Sequence, residues 1–224
     1  FLRSDYRSMS AGCETFLFSY ESLEEIIALP EYIPQPEFPQ AEESPEPLVV
    51  TERGNLDPRK AMLALTFDDG PSEYTDKLLD ILAENGGKAT FFVVGNMIDG
   101  REETLKRISN NGHEIGAHGW DHRQLTGLSS EEITFQIMST RSAIYKATGT
   151  DTRIMRPPYG SYDDQVRNVS AQLGISLFNW SVDSRDWMNY DFRAINSTIN
   201  SNIKNGSIIL CHELNDETIK AMET

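Results

Sequence analysis

Ala61-Met62-Leu63-Ala64-Leu65-Thr66-Phe67-Asp68-Asp69-Gly70-Pro71 carries an apolar run straight into two adjacent carboxylates and a Gly-Pro turn. A short apolar run bounded by turn residues reads as a buried strand, here over 61–67. Asp68 and Asp69 then stand at the strand's C-terminal end. Neighbouring carboxylates raise the cost of ionising both unless a cation shares the site. A metal ligand beside a general base would justify the pair; a solvated turn is the alternative, because acidic residues also favour turns for local hydrogen-bonding reasons.

Downstream, strand and helix patterns alternate. Strands are expected over 89–94, 114–117, 154–155, 176–180 and 207–211, and helices over 76–85, 102–111, 129–148, 163–173 and 192–204. Ser129-Ser130-Glu131-Glu132 carries the capping-box pattern that opens the longest helix. Short apolar strands separated by helices imply parallel βα units, whose functional groups gather at strand C-termini. No internal repeat of fixed period is evident.

The N-terminal part reads differently. Residues 14–29 fit an amphipathic helix through Phe16, Leu17, Tyr20, Leu23, Ile26 and Ile27. Six of the ten prolines and five glutamates fall in 30–47, with no Lys or Arg, a composition that favours an extended, self-repelling spacer. The expected organisation is thus an N-terminal segment 1–29, a linker 30–47 and a globular domain 48–224. The formal net charge of -15 argues against a nucleic-acid partner, since no basic stripe answers the phosphates. No apolar run is long enough to span a membrane; no basic stretch followed by an apolar one is visible from Phe1 onward, and the chain reads as a fragment or a mature form. Cys13 and Cys211 are read as two ordinary thiols, a disulfide between them being the alternative.

Four further motifs follow strands. His118-Gly119-Trp120-Asp121-His122 sets two imidazoles four residues apart, on one face if the segment turns helically. With one carboxylate from the first motif the set becomes Asp-His-His, three ligands with open positions, the pattern of a catalytic metal site. Arg156-Pro157-Pro158-Tyr159-Gly160 is a rigid turn suited to presenting backbone N–H groups, or an ordinary loop. Asp183-Ser184-Arg185-Asp186-Trp187 could orient a histidine or balance an arginine, or be solvated. Leu210-Cys211-His212 ends an apolar strand on a lone histidine.

Together and in this order, the five motifs resemble the polysaccharide deacetylase family, the NodB-homology domain of carbohydrate esterase family 4, from about Leu48 to the C-terminus. The resemblance implies an irregular (β/α)7 barrel, a distorted relative of the TIM barrel. Because family members continue further, the last helix and strand are expected to be missing here. It implies that Asp69, His118 and His122 bind one divalent metal, Zn2+ first and Co2+ or another first-row ion next. Asp68 would be the general base, paired with Arg156; the Tyr159 N–H would face the oxyanion; Trp187 and Leu210 would line the acetyl pocket. His212 would be the general acid, oriented by Asp186, and Asp183 matches the first acid of the fourth motif. Departures from the family pattern are Gly119 in place of Ser or Thr, and Cys211 and Glu213 beside His212.

The implied activity is removal of N-acetyl groups from N-acetylglucosamine in a cell-surface polysaccharide, peptidoglycan first, at an extracellular or wall-associated location. Chitooligosaccharide deacetylation and acetylxylan ester cleavage use the same centre. A carbohydrate-binding module without turnover belongs to another class. A structural metal domain fits less well, as it would close with four protein ligands.

Overall fold

The computed structural model describes residues 62–223. The helix expected over 14–29, the 30–47 spacer and Cys13 lie outside them. Seven parallel strands form one sheet: β1 (Leu63–Gly70), β2 (Thr90–Val93), β3 (Glu114–Ala117), β4 (Ile154–Met155), β5 (Ser176–Leu177), β6 (Val182–Asp183) and β7 (Ser207–His212). Their order, β5-β4-β3-β2-β1-β7-β6, follows the chain around a curl. The two outermost strands, β5 and β6, are not paired with each other among the described residues, so the sheet is a distorted (β/α) barrel open on that side.

Helices α1 (Thr75–Glu84), α2 (Glu102–Asn110), α3 (Ser130–Thr148), α4 (Asp164–Gln172), α5 (Phe192–Asn202) and α6 (Asp216–Met222) connect or follow the strands. Parallel neighbours need crossovers of this kind. The sequence explains their starts. Both arms of the α3 capping box are made: Ser129 Oγ accepts from Glu132 N–H at 3.2 Å, and Glu132 Oε2 accepts from Ser129 N–H at 2.8 Å. Asp163, Asp191 and Asn215 accept from the first turns of α4, α5 and α6. The α3 helix stops where Gly149 takes φ 73.

Two faces of the sheet have different tasks. Phe67, Phe91, Ile115, Ile209 and Cys211 point into the core shared with Leu78, Leu79, Leu105, Ile108 and Ile137 of the helices. Phe67 stacks on Phe91 at a centroid distance of 5.5 Å. Burying each such side chain contributes roughly 1.5–3 kcal/mol. The alternation of strand side chains places Thr66 and Asp68 on the opposite face of β1, and Leu210 and His212 on that of β7. Register pairs Thr66 with Leu210 and Asp68 with His212.

Three expectations need correction. The strand expected over 176–180 is only Ser176–Leu177, and the chain forms a separate strand, β6, two residues after Trp180. The sequence offered no long apolar run for a two-residue edge strand. A helix, α6, follows β7 and was not anticipated. The segment from His118 to His122 is not helical: Gly119 and His122 take φ 77 and φ 58, and a tight loop brings the imidazoles together instead.

Candidate metal and acid–base site

The motifs lie at or shortly after strand C-terminal ends, so the parallel sheet brings most of their residues to one rim. Asp69 is the bulged residue of β1, between Asp68 and Gly70, and takes φ 70. That turn re-aims its carboxylate relative to Asp68, which stays on the barrel's inner face. Asp69, His118 and His122 each offer one ligand atom, and the three atoms lie within 4.8 Å of one another. Asp69 Oδ1 is 3.4 Å from His118 Nε2 and 3.2 Å from His122 Nε2. The imidazole centroids are 5.0 Å apart. Non-glycine residues at positive φ cost of order 1–3 kcal/mol each. Asp69, His122 and Tyr159 all adopt it here, so the site holds strain that the surrounding fold must impose.

The donor set fits a divalent cation. Asp69 Oδ1 is buried without a hydrogen-bond donor, an arrangement that a bound cation would satisfy. His118 Nδ1 lies 2.7 Å from the Arg156 carbonyl oxygen. Donation by Nδ1–H to that oxygen leaves the Nε2 lone pair turned toward Asp69, the tautomer a metal ligand needs. Burial disfavours the His118 cation, yet Asp68 and Asp69 outweigh it and raise the pKa. For His122 burial prevails and the pKa is lowered. Asp69 is half-buried, but the two histidines hold its pKa below the usual value.

Asp68 lies beside this cluster, 3.6 Å from His118 Nε2. Arg156, wholly buried, donates through Nη1 to Asp68 Oδ1 at 2.7 Å and to Thr66 Oγ1 at 2.8 Å. Its guanidinium also lies 4.3 Å from the Phe92 ring centroid, where it is stacked and fixed. Burial raises the Asp68 pKa, and His118, Arg156 and His212 only partly offset it. Asp68 is thus a buried carboxyl that holds its proton more tightly than an exposed one.

Across the β1–β7 pair, His212 Nδ1 meets Asp186 Oδ1 at 2.8 Å. Asp186 Oδ2 accepts from His212 N–H at 2.7 Å and from Thr218 Oγ1 at 3.0 Å. Burial lowers the His212 pKa, but the hydrogen bond and charge of Asp186 overcome it and raise the value. Thr218 comes from α6, which the sequence did not reveal.

The remaining expected residues are less tightly gathered. Tyr159 is 65% exposed, its ring edge-on to His122 at 4.8 Å. Gly160 and Ser161 N–H are bonded within the turn. The Tyr159 N–H has no backbone acceptor among the described residues. Leu210 is buried on the face that carries His212, and Trp187 is 53% exposed on the loop after Asp186. Asp183 accepts from the Arg185 N–H and faces a separate polar cleft of about 460 Å³ between β6 and α5.

Sequence reasoning missed Gln136. This α3 side chain is 1% exposed, and its Oε1 accepts from Trp120 N–H at 2.7 Å and Asp121 N–H at 3.3 Å. It therefore braces the loop between the two histidines. A Cβ at Gly119 would lie 3.2 Å from that oxygen, which accounts physically for glycine there. A polar residue at a helix position that otherwise reads as core was the available signal.

A parallel α/β barrel thus carries on its rim an Asp-His-His cluster able to hold a cation, an arginine-held aspartate and an aspartate-held histidine. The chain belongs to the polysaccharide deacetylase family, whose family model matches residues 55–178. It is 37% identical to the peptidoglycan-N-acetylglucosamine deacetylase PgdA of Listeria monocytogenes, over 72% of this chain and 34% of that protein. Identity to the chitooligosaccharide deacetylase of Sinorhizobium fredii is also 37%, covering 66% of this chain and 70% of that one. The solved T48 deacetylase with substrate superposes with a TM-score of 0.70 at 39% identity, over 73% of this chain and 80% of that one. The chain spans about a third of the length of the peptidoglycan deacetylases of Listeria and Bacillus subtilis that it matches.

Proposed function

We propose that this protein is a metal-dependent N-deacetylase of N-acetylglucosamine in a cell-surface polysaccharide, with peptidoglycan as first substrate and a wall-facing location. The observation that carries the reading is the register of β1 against β7. It sets Asp68 beside His212, with the Asp69–His118–His122 cluster next to both. Hydrolysis of an amide needs a base for the water and an acid for the departing nitrogen.

Zn2+, or Co2+ in its place, would be held by Asp69, His118 and His122, and would acidify a water and polarise a carbonyl oxygen. Asp68, kept in place by Arg156, accepts the water's proton as the oxygen attacks the acetamide carbon. The Tyr159 N–H donates to the developing oxyanion. His212, charged through Asp186, gives its proton to the nitrogen as the carbon–nitrogen bond breaks, because an amine leaves far more readily than its anion. Leu210 and Trp187 flank the acetyl methyl. The products are acetate and a free amino sugar.

Peptidoglycan is preferred because of the acidic, proline-rich stretch at 30–47, a spacer composition suited to a domain reaching into a wall. Names of relatives support both peptidoglycan and chitin-type substrates. The test is acetate release from peptidoglycan, N-acetylglucosamine oligomers and acetylxylan, after chelation and again after zinc or cobalt is restored. Release that stops on chelation and returns with metal is expected, fastest on peptidoglycan. Folded, metal-loaded protein that releases no acetate from any of them would refute the assignment.

A further inference from the structure

Glu213 is a fully buried carboxyl that the chemistry above does not use. It directly follows His212 and reaches back toward the strand end that carries Asp68 and Asp69. Its N–H donates to the Asp68 carbonyl at 3.2 Å, and its own carbonyl accepts from Ser72 Oγ at 2.7 Å. Thr75 Oγ1, at the start of α1, is hydrogen-bonded to Glu213 Oε2 and also accepts from Ser72 N–H at 2.8 Å. The carboxyl lies flush against Gly70, where any Cβ would collide with it. One side chain thus ties the end of β7 to the 68–75 turn and to α1.

Its surroundings are wrong for an anion. Glu213 Oε1 has no hydrogen-bond partner, and no Lys, Arg or His forms an ion pair with Glu213 among the described residues. The charged groups that act on it are Asp68 and Asp69 of β1. Its neighbour on β7, His212, is turned to Asp186, and α1 offers it only the neutral Thr75. On the exposed side of α1 and α6, Lys77 pairs with Glu223. A fully buried carboxylate with one oxygen left unpartnered is strongly disfavoured.

We propose that Glu213 is a positioning residue, held as a neutral carboxylic acid, that locks the Asp68–Asp69 strand end to the His212 strand end. This rests on the deacetylase reading only for its effect on turnover; the protonation state stands apart from it. Burial, the largest cause, pushes its pKa up to about 8. The folded state therefore keeps a proton that the unfolded state loses above about 4.5. The sign follows: folding is weakened progressively as pH rises from the unfolded value to the folded one.

The test is Glu213→Gln, which keeps the shape without the titration. Between about pH 5 and 8 the ratio of wild-type to variant unfolding constants should rise about tenfold per pH unit, read by urea unfolding. The ratio of variant to wild-type kcat should be near one at pH 7 and climb above pH 8, with KM unchanged. A pH-independent ratio of unfolding constants would overturn the neutral acid. A level ratio of kcat values beside a rising ratio of unfolding constants would overturn the positioning role alone. Should the variant fail to fold, carboxyl-carbon NMR of glutamate-labelled wild type decides. One carboxyl titrating between about pH 7 and 9 supports the proposal, and none in that range refutes it. Absence of acetate release from the wild type itself, beside a rising ratio of unfolding constants, would indict the deacetylase reading and leave the neutral acid standing.

Discussion

Asp186→Asn isolates what the aspartate does for His212. In the wild type, Asp186 Oδ2 receives two donors, His212 N–H and Thr218 Oγ1, while Oδ1 faces His212 Nδ1. An asparagine must keep its carbonyl oxygen where the two donors converge, so its NH2 group turns to Nδ1. That nitrogen must then accept, and a doubly protonated His212 would set N–H against N–H. At 2.8 Å and an effective dielectric of 20, the lost attraction has a ceiling of roughly 6 kcal/mol; a charged hydrogen bond contributes a net of about 1.5–3 kcal/mol. General acid catalysis is worth roughly 10²–10⁴ in rate. We therefore expect kcat for acetate release at pH 7 to fall by about 10²–10⁴ with KM little changed, and the alkaline limb to move to lower pH. The folded wild type raises the His212 pKa, so this stabilisation is complete below the ordinary histidine value and is lost as pH rises through the folded one. The stability deficit of the variant should accordingly be larger at about pH 5 than at about pH 9. A kcat within about threefold of wild type, with an unmoved alkaline limb, would refute the reasoning.

Three other outcomes are expected. Asp68→Asn should lower kcat by roughly 10²–10⁴ while metal content by elemental analysis stays at wild-type stoichiometry, since Asp68 is outside the ligand set; co-loss of metal would reassign it. Gln136→Leu removes the acceptor for two loop N–H groups and should weaken zinc binding by about 10–100-fold in calorimetry. Unchanged affinity there would show that the His118–His122 loop holds its own shape. Gly70→Ala forces a methyl into the Glu213 carboxyl and should cost roughly 1–3 kcal/mol in urea unfolding; a neutral result would mean that the strand end yields freely.

The class of fold, and the motifs whose residues the structure brings together at the strand ends, were legible in the sequence alone. Apolar runs ending in Asp68-Asp69-Gly70-Pro71, in His118 and in His212 are local patterns, and burial with turn chemistry fixes them without knowledge of distant neighbours. The capping box at Ser129 and Glu132 was legible for the same reason. Edge strand β6, two residues long, was not, because its pairing to β7 supplies what its composition lacks. Nor could sequence spacing show how His118 and His122 meet: positive φ at Gly119 and His122, braced by Gln136 sixteen residues beyond Trp120, brings them together without a helical turn. The pairing of Asp68 with His212, the grip of Arg156 on Asp68 and the burial of Glu213 were decided only in three dimensions. Sheet register and the closeness of strand ends depend on contacts between residues 88 to 144 apart in the chain, and local sequence carries no record of such distances.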